Sequence, residues 1–110
     1  MYKGKEKGIN SMEITLKKIN EAGLYVKASG SLDIDSSAEY GMKVKDSLDD
    51  INELVLDFGE ITYIASIGLR VLLELYQQMS KQGSIKLINV QEPVLNVLKM
   101  TGFNKFLSIS

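Results

Sequence analysis

Apolar positions change their spacing several times along the chain, and each change marks an element. From Met12 to Ile19 they alternate at Met12, Ile14 and Leu16, the period of a half-buried strand. Asn20 to Gly23 supplies a turn, and alternation resumes through Leu24, Val26 and Ala28 as far as Gly30, which predicts an antiparallel hairpin. The spacing then becomes helical. Ser36 or Ser37 is placed to cap a helix that carries Tyr40, Val44 and Leu48 towards Asp49, with Gly41 weakening its middle. Leu54, Val55, Leu56 and Phe58 are apolar on both faces, as a central parallel strand requires, and Gly59 ends that run.

A connection from Gly59 to Ala65 delivers Ser66 to the mouth of a long amphipathic helix. Leu69, Leu72, Leu73, Tyr76 and Met79 form one apolar stripe along it, and Ile67, Val71 and Leu75 form a second, turned away from the first. Lys81-Gln82-Gly83 ends the helix, Ser84 to Val90 reads as a further strand, and Asn89 to Pro93 as a turn. Pro93 suits the first position of a short helix that carries Val94, Leu95, Val97 and Leu98 to Met100, and Gly102 stops it.

A hairpin followed by strands and helices in alternation predicts an α/β fold: a single domain over residues 12–110, with a small mixed sheet and right-handed crossovers, packed with helices. Loops leaving the carboxyl ends of parallel strands emerge along one edge, where such sheets place their sites. That edge gathers residues 32–37, 59–66 and 89–93. Residues 1–11, with Lys3, Lys5 and Lys7 against Glu6, read as a flexible arm. They leave the remainder more acidic than the net charge of −1, which argues against nucleic acid as a direct partner.

Cysteine and histidine are absent, so thiol nucleophiles, imidazole bases, disulfides and the usual zinc ligands are excluded together. No apolar run approaches membrane-spanning length, and the N-terminal stretch lacks the apolar core of a signal peptide, so the expected location is the cytoplasm, away from membranes. No cofactor is expected.

Ser66 is the residue that carries most chemical interest. A hydroxyl at a helix N-terminus sits among unpaired N–H groups where the macrodipole favours negative charge. It suits two roles that are compatible, a helix cap and an acceptor of phosphate. Asp33 likewise suits a turn or capping role before Ser36. Asp57 finishes its strand by accepting from nearby loop N–H groups. The Ile67, Val71, Leu75 stripe either packs on the neighbouring helix or lies exposed beside Ser66 for a partner to bury, and Gly68 either admits another backbone or fits a tight helix–sheet contact.

Three segments together resemble the STAS domain family, and within it the stand-alone anti-sigma factor antagonists of bacteria. Gly30-Ser31-Leu32-Asp33 is similar to the family's G-x-L-D at the end of the second strand. Leu54-Val55-Leu56-Asp57, with Tyr63-Ile64-Ala65-Ser66-Ile67-Gly68-Leu69 after it, resembles the strand and phosphoacceptor turn. Met100-Thr101-Gly102-Phe103-Asn104-Lys105-Phe106 is similar to the closing segment. Residues 12–108 are covered. Two positions depart from the pattern: Ala65 stands where the family often carries Asp, and Ile67 where a small residue is common.

The resemblance implies a protein–protein switch without enzymatic activity. The unphosphorylated form binds an anti-sigma factor that is also a serine kinase, and phosphorylation ends the complex; a phosphatase is a candidate second partner, and the chain is expected as a monomer or weak dimer. Ser66 takes the acceptor position, with Asp33, Ile67, Gly68, Val71 and Leu75 as the implied contact residues around it. An alternative within the same family is a ligand-sensing or scaffold module, nucleotide-binding or part of a larger signalling assembly, that uses no phospho-switch. A hydrolase is disfavoured: the glycine two residues before a nucleophile-elbow serine is replaced by Ile64, and no histidine exists to act as base.

Overall fold

The computed structural model describes residues 12–110. The arm expected over residues 1–11 lies outside the described residues. Strands β1 (Glu13–Asn20) and β2 (Gly23–Leu32) form the hairpin, with Asn20 Oδ1 accepting from the Ala22 amide across the turn at 2.9 Å. Then follow α1 (Ile34–Lys45), β3 (Glu53–Ile64), α2 (Ser66–Met79), β4 (Ser84–Ile88), α3 (Glu92–Met100), a 3-10 turn over Phe103–Lys105 and a two-residue β5 (Ser108–Ile109). Strand order in the sheet follows chain order; β1 pairs antiparallel with β2, and the remaining pairs are parallel.

With strands added in that order, right-handed crossovers place the helices on one face of the sheet. The core joins them there: Leu24, Val26, Leu54, Leu56, Phe58 and Leu87 of the strands form one cluster with Tyr40 and Val44 of α1, Leu72, Leu75 and Met79 of α2, and Val94 and Leu98 of α3. Burying a leucine-sized side chain is worth about 1.5–3 kcal/mol, so this cluster is the main source of stability.

Three expectations from sequence are corrected. First, β3 does not stop at Gly59 but runs to Ile64. Its pairing with β2 shifts between Lys27 and Ser29 and again between Gly30 and Ser31, so extra residues on β3 break the alternation that marks a strand in sequence. Second, α1 begins at Ile34 and is capped by Asp33, not by Ser36 or Ser37, and it ends at Lys45. Third, the buried face of α2 is Gly68, Val71, Leu72, Leu75 and Met79, which cuts across both stripes read from sequence. The helix meets two surfaces, the sheet and α1, so its apolar arc is wider than one stripe. Gly41 of α1 belongs to that second contact: a methyl group there would lie 3.2 Å from a Val71 methyl, and Lys45 closes the same interface by pairing with Glu74.

On the face of the sheet away from the helices, Asp57 is only 7% exposed and accepts three hydrogen bonds. The donors are the Tyr25 hydroxyl, the Gly59 amide at 2.9 Å and Asn89 Nδ2 at 3.2 Å. Burial on its own raises the Asp57 carboxyl, but these bonds and the nearby Lys27 ammonium outweigh it and hold the group below the usual carboxylate range. Gln91 Nε2 donates to the Gly59 carbonyl at 2.7 Å, so the same cluster fixes where the β4–α3 loop meets β3.

Two measurements test this packing. Because the folded-state value of Asp57 is depressed, its stabilisation is fully present above the unfolded carboxylate value near 3.9 and fades as pH falls through the folded one. Asp57→Asn is therefore expected to cost about 1–3 kcal/mol in urea unfolding at neutral pH, with the gap to wild type closing below about pH 4. Gly68→Ala brings a methyl to 2.8 Å from Ile64 Cγ1 and 3.2 Å from the Leu32 carbonyl oxygen. It should lose about 1–3 kcal/mol of stability by the same measurement, although alanine is the better helix former.

Candidate functional site

The edge at the carboxyl ends of β2 and β3 is where backbone pairing hands over to two helices. Ser31 pairs with Tyr63 and Leu32 with Ile64, and the Ala65 amide donates to the Leu32 carbonyl at 2.9 Å. Asp33 and Ser66 therefore leave the sheet side by side, one into α1 and the other into α2. Gly68 makes the junction tight, since its missing side chain is what lets the first turn of α2 lie against Leu32 and Ile64.

Asp33 is exposed and forms a reciprocal cap on α1. Its Oδ1 accepts from the Ser36 amide at 3.1 Å, and its own amide donates to Ser36 Oγ at 2.9 Å. Those bonds from Ser36 hold the Asp33 carboxyl below its ordinary value, so it stands as a carboxylate at neutral pH.

Ser66 is the first residue of α2, not its cap. Ala65 occupies the cap position with extended backbone and no side-chain hydrogen bond, and the amides of Gly68 and Leu69 bond to the Ala65 carbonyl instead. An aspartate in that position would cap the helix, which gives the departure at Ala65 a structural meaning. The Ser66 side chain is exposed, and its hydroxyl makes no hydrogen bond among the described residues. The first turn of α2 holds no acidic residue.

The structure brings Asp33, Ser66, Ile67 and Gly68 together at this edge, with Ile67 half-buried and Gly68 buried beneath it. It does not bring Val71 and Leu75 to the surface. Both are buried, Val71 against Gly41 of α1, so of the two readings of the Ile67, Val71, Leu75 stripe the structure bears out packing on the neighbouring helix for these two residues and not an exposed strip for a partner. Exposed apolar side chains lie instead on α1 and β3. Ile34 is 76% exposed, Met42 64% and Tyr63 56%. Ile34, Ala38 and Met42 recur at every fourth residue along one exposed side of α1, a strip that begins next to Asp33. The sequence signal was that spacing, which is distinct from the buried Tyr40–Val44 face.

Among the described residues no helix is long and apolar enough to cross a membrane, and no group of three or more acidic side chains is gathered as a metal site. The chain has no histidine, and among the described residues no side chain is hydrogen-bonded to the exposed Ser66 hydroxyl.

Known proteins share this architecture. The anti-sigma-B factor antagonist of Bacillus subtilis (strain 168) is 28% identical over 94 residues, which span 84% of this chain and 86% of the relative. An anti-sigma factor antagonist from Mycobacterium paratuberculosis superposes with a TM-score of 0.81 at 18% identity, covering 92% of this chain and 86% of that one. The Bacillus cell fate determinant SpoIIAA in its phosphorylated form superposes at 0.70 with 14% identity, over 89% and 91% of the two chains. At such identities the superpositions show a common fold. The model of the STAS domain matches residues 13–110, from the first described strand to the last residue, and the chain belongs to the STAS domain family.

Proposed function

We propose that this protein is an anti-sigma factor antagonist, controlling transcription through a partner rather than by contact with DNA. Its unmodified form binds an anti-sigma factor that is also a serine kinase, and phosphorylation of Ser66 dissolves the complex. The observation that carries the reading is the exposed Ser66 hydroxyl, without a hydrogen bond among the described residues, on the same edge as exposed Ile34 and Tyr63 and on a junction braced by bonds that do not involve it. The likeness to the anti-sigma-B factor antagonist of Bacillus subtilis supports an anti-sigma factor as the class of partner.

In the step itself, Ser66 Oγ attacks the γ-phosphorus of the kinase's ATP. A new P–O bond forms, ADP leaves, and the hydroxyl proton passes to a base on the kinase. The product carries a charge of about −1.5 to −2. At a helix N-terminus that charge favours the fold by about 0.3–1 kcal/mol. Under a bound partner the same charge loses its water, a cost of several kcal/mol, and about 1.4 kcal/mol is already tenfold in affinity. The modification therefore leaves the domain folded and removes its partner. Asp33 borders the contact, and Ile67 supplies apolar surface beside the acceptor.

The test is affinity capture from native cytoplasm with wild type, Ser66→Ala and Ser66→Asp, with the bound proteins identified by mass spectrometry. Wild type and alanine are expected to retain a protein carrying a serine-kinase fold, and aspartate to lose it by tenfold or more. Equal recovery by all three contradicts the reading.

A further inference from the structure

We propose that Arg70 is the intramolecular partner of the phosphate on Ser66, and that it draws the modified side chain along α2 and away from Asp33. The inference rests on the phosphoacceptor reading above and adds how the charge is held once it is there. Residues four apart on a helix stand one above the other, and an anion N-terminal to a cation at this spacing is the favourable order. Ser66 and Arg70 have that spacing, both on the exposed side of α2.

The guanidinium is available for the task. Among the described residues Arg70 makes no ion pair within 4.0 Å; Glu74, the acid one turn further on, is paired with Lys45 of α1 at 2.5 Å and feels the Arg70 charge only as a weaker attraction from beyond that distance. A phosphate on Ser66 would meet four other groups. Asp33 and Asp35 stand at the start of α1 and repel it, Tyr63 is the last residue but one of β3, and Glu74 lies beyond Arg70. Asp33 cannot swing away cheaply, since its carboxylate is held by Ser36. A doubly charged group placed between a fixed carboxylate and an unpaired guanidinium turns towards the guanidinium, whose planar fork binds two phosphate oxygens at once. Arg70 thus lets the modified loop keep its unmodified course, because the repulsion from Asp33 is relieved by a side-chain rotation.

The experiment installs phosphoserine at position 66 during translation, so that no kinase is needed, and follows the phosphorus resonance from about pH 4 to about pH 8. Wild type, Arg70→Gln and Arg70→Lys are compared. The helix N-terminus acts alike on all three, so the differences report position 70. A neighbouring cation favours the dianion, and the second ionisation in Arg70→Gln should lie about 0.3 pH unit above wild type, with Arg70→Lys between them. The difference should vanish above about 0.5 M salt, while the unmodified variants melt with wild type. Superimposable titrations for wild type and Arg70→Gln overturn the proposal. Because the phosphate is supplied without a kinase, this outcome is independent of the capture experiment with the Ser66 variants.

Discussion

The hydrogen bond from the Ala65 amide to the Leu32 carbonyl is the contact on which the site depends. It continues the β2–β3 pairing beyond the last residue of β3, so the two loops that carry Asp33 and Ser66 are one unit of backbone and not two independent turns. Gly68 serves the same end from the helix side, since only a residue without a side chain lets α2 start this close to Leu32. The cap at Asp33 completes the brace by fixing the first turn of α1. None of these contacts uses the Ser66 side chain.

That independence decides what a charge at Ser66 can do. If the hydroxyl capped its own helix, modification would exchange one stabilising bond for another, and the effect on the fold would have to be weighed against the effect on binding. With the hydroxyl outside the brace, the local term is a small favourable interaction with the helix, and the large term belongs to whatever covers the junction. The exposed side chains nearby fit such a cover. Ile34 and Tyr63 are largely apolar and mostly in water, whereas Val71, Leu72, Leu75 and Met79 of α2 are spent on the core. A partner reading this surface would therefore run along α1 and the end of β3.

Much of this could be read from the chain before any coordinates. The hairpin, the central strand, α2 and the helix after Pro93 all follow from periodicity, because each has one dominant environment. The end of β3 did not, since two register shifts against β2 destroy the alternation of Glu60, Ile61, Thr62 and Tyr63. The two-residue β5 is too short to carry a period. The two stripes on α2 leave a choice open for a different reason: a helix wedged between a sheet and a second helix buries a broad arc, and sequence alone does not say whether the second stripe packs on that helix, as Val71 and Leu75 do, or faces outward. Ser66 was visible because its position depends only on where a strand and a helix meet. Its apolar neighbours Ile34 and Tyr63 were not, because an isolated apolar residue reads the same whether packed or exposed.

The central physical claim is that the junction keeps its structure whatever Ser66 carries. Amide hydrogen exchange, compared between the unmodified chain and the chain with phosphoserine at position 66, tests it most directly. Protection of the Ala65, Gly68 and Leu69 amides, which are bonded to Leu32 and Ala65 carbonyls, is expected to be unchanged. Loss of protection across this stretch on phosphorylation would mean that the charge acts by melting the loop and not by evicting a partner from an intact junction.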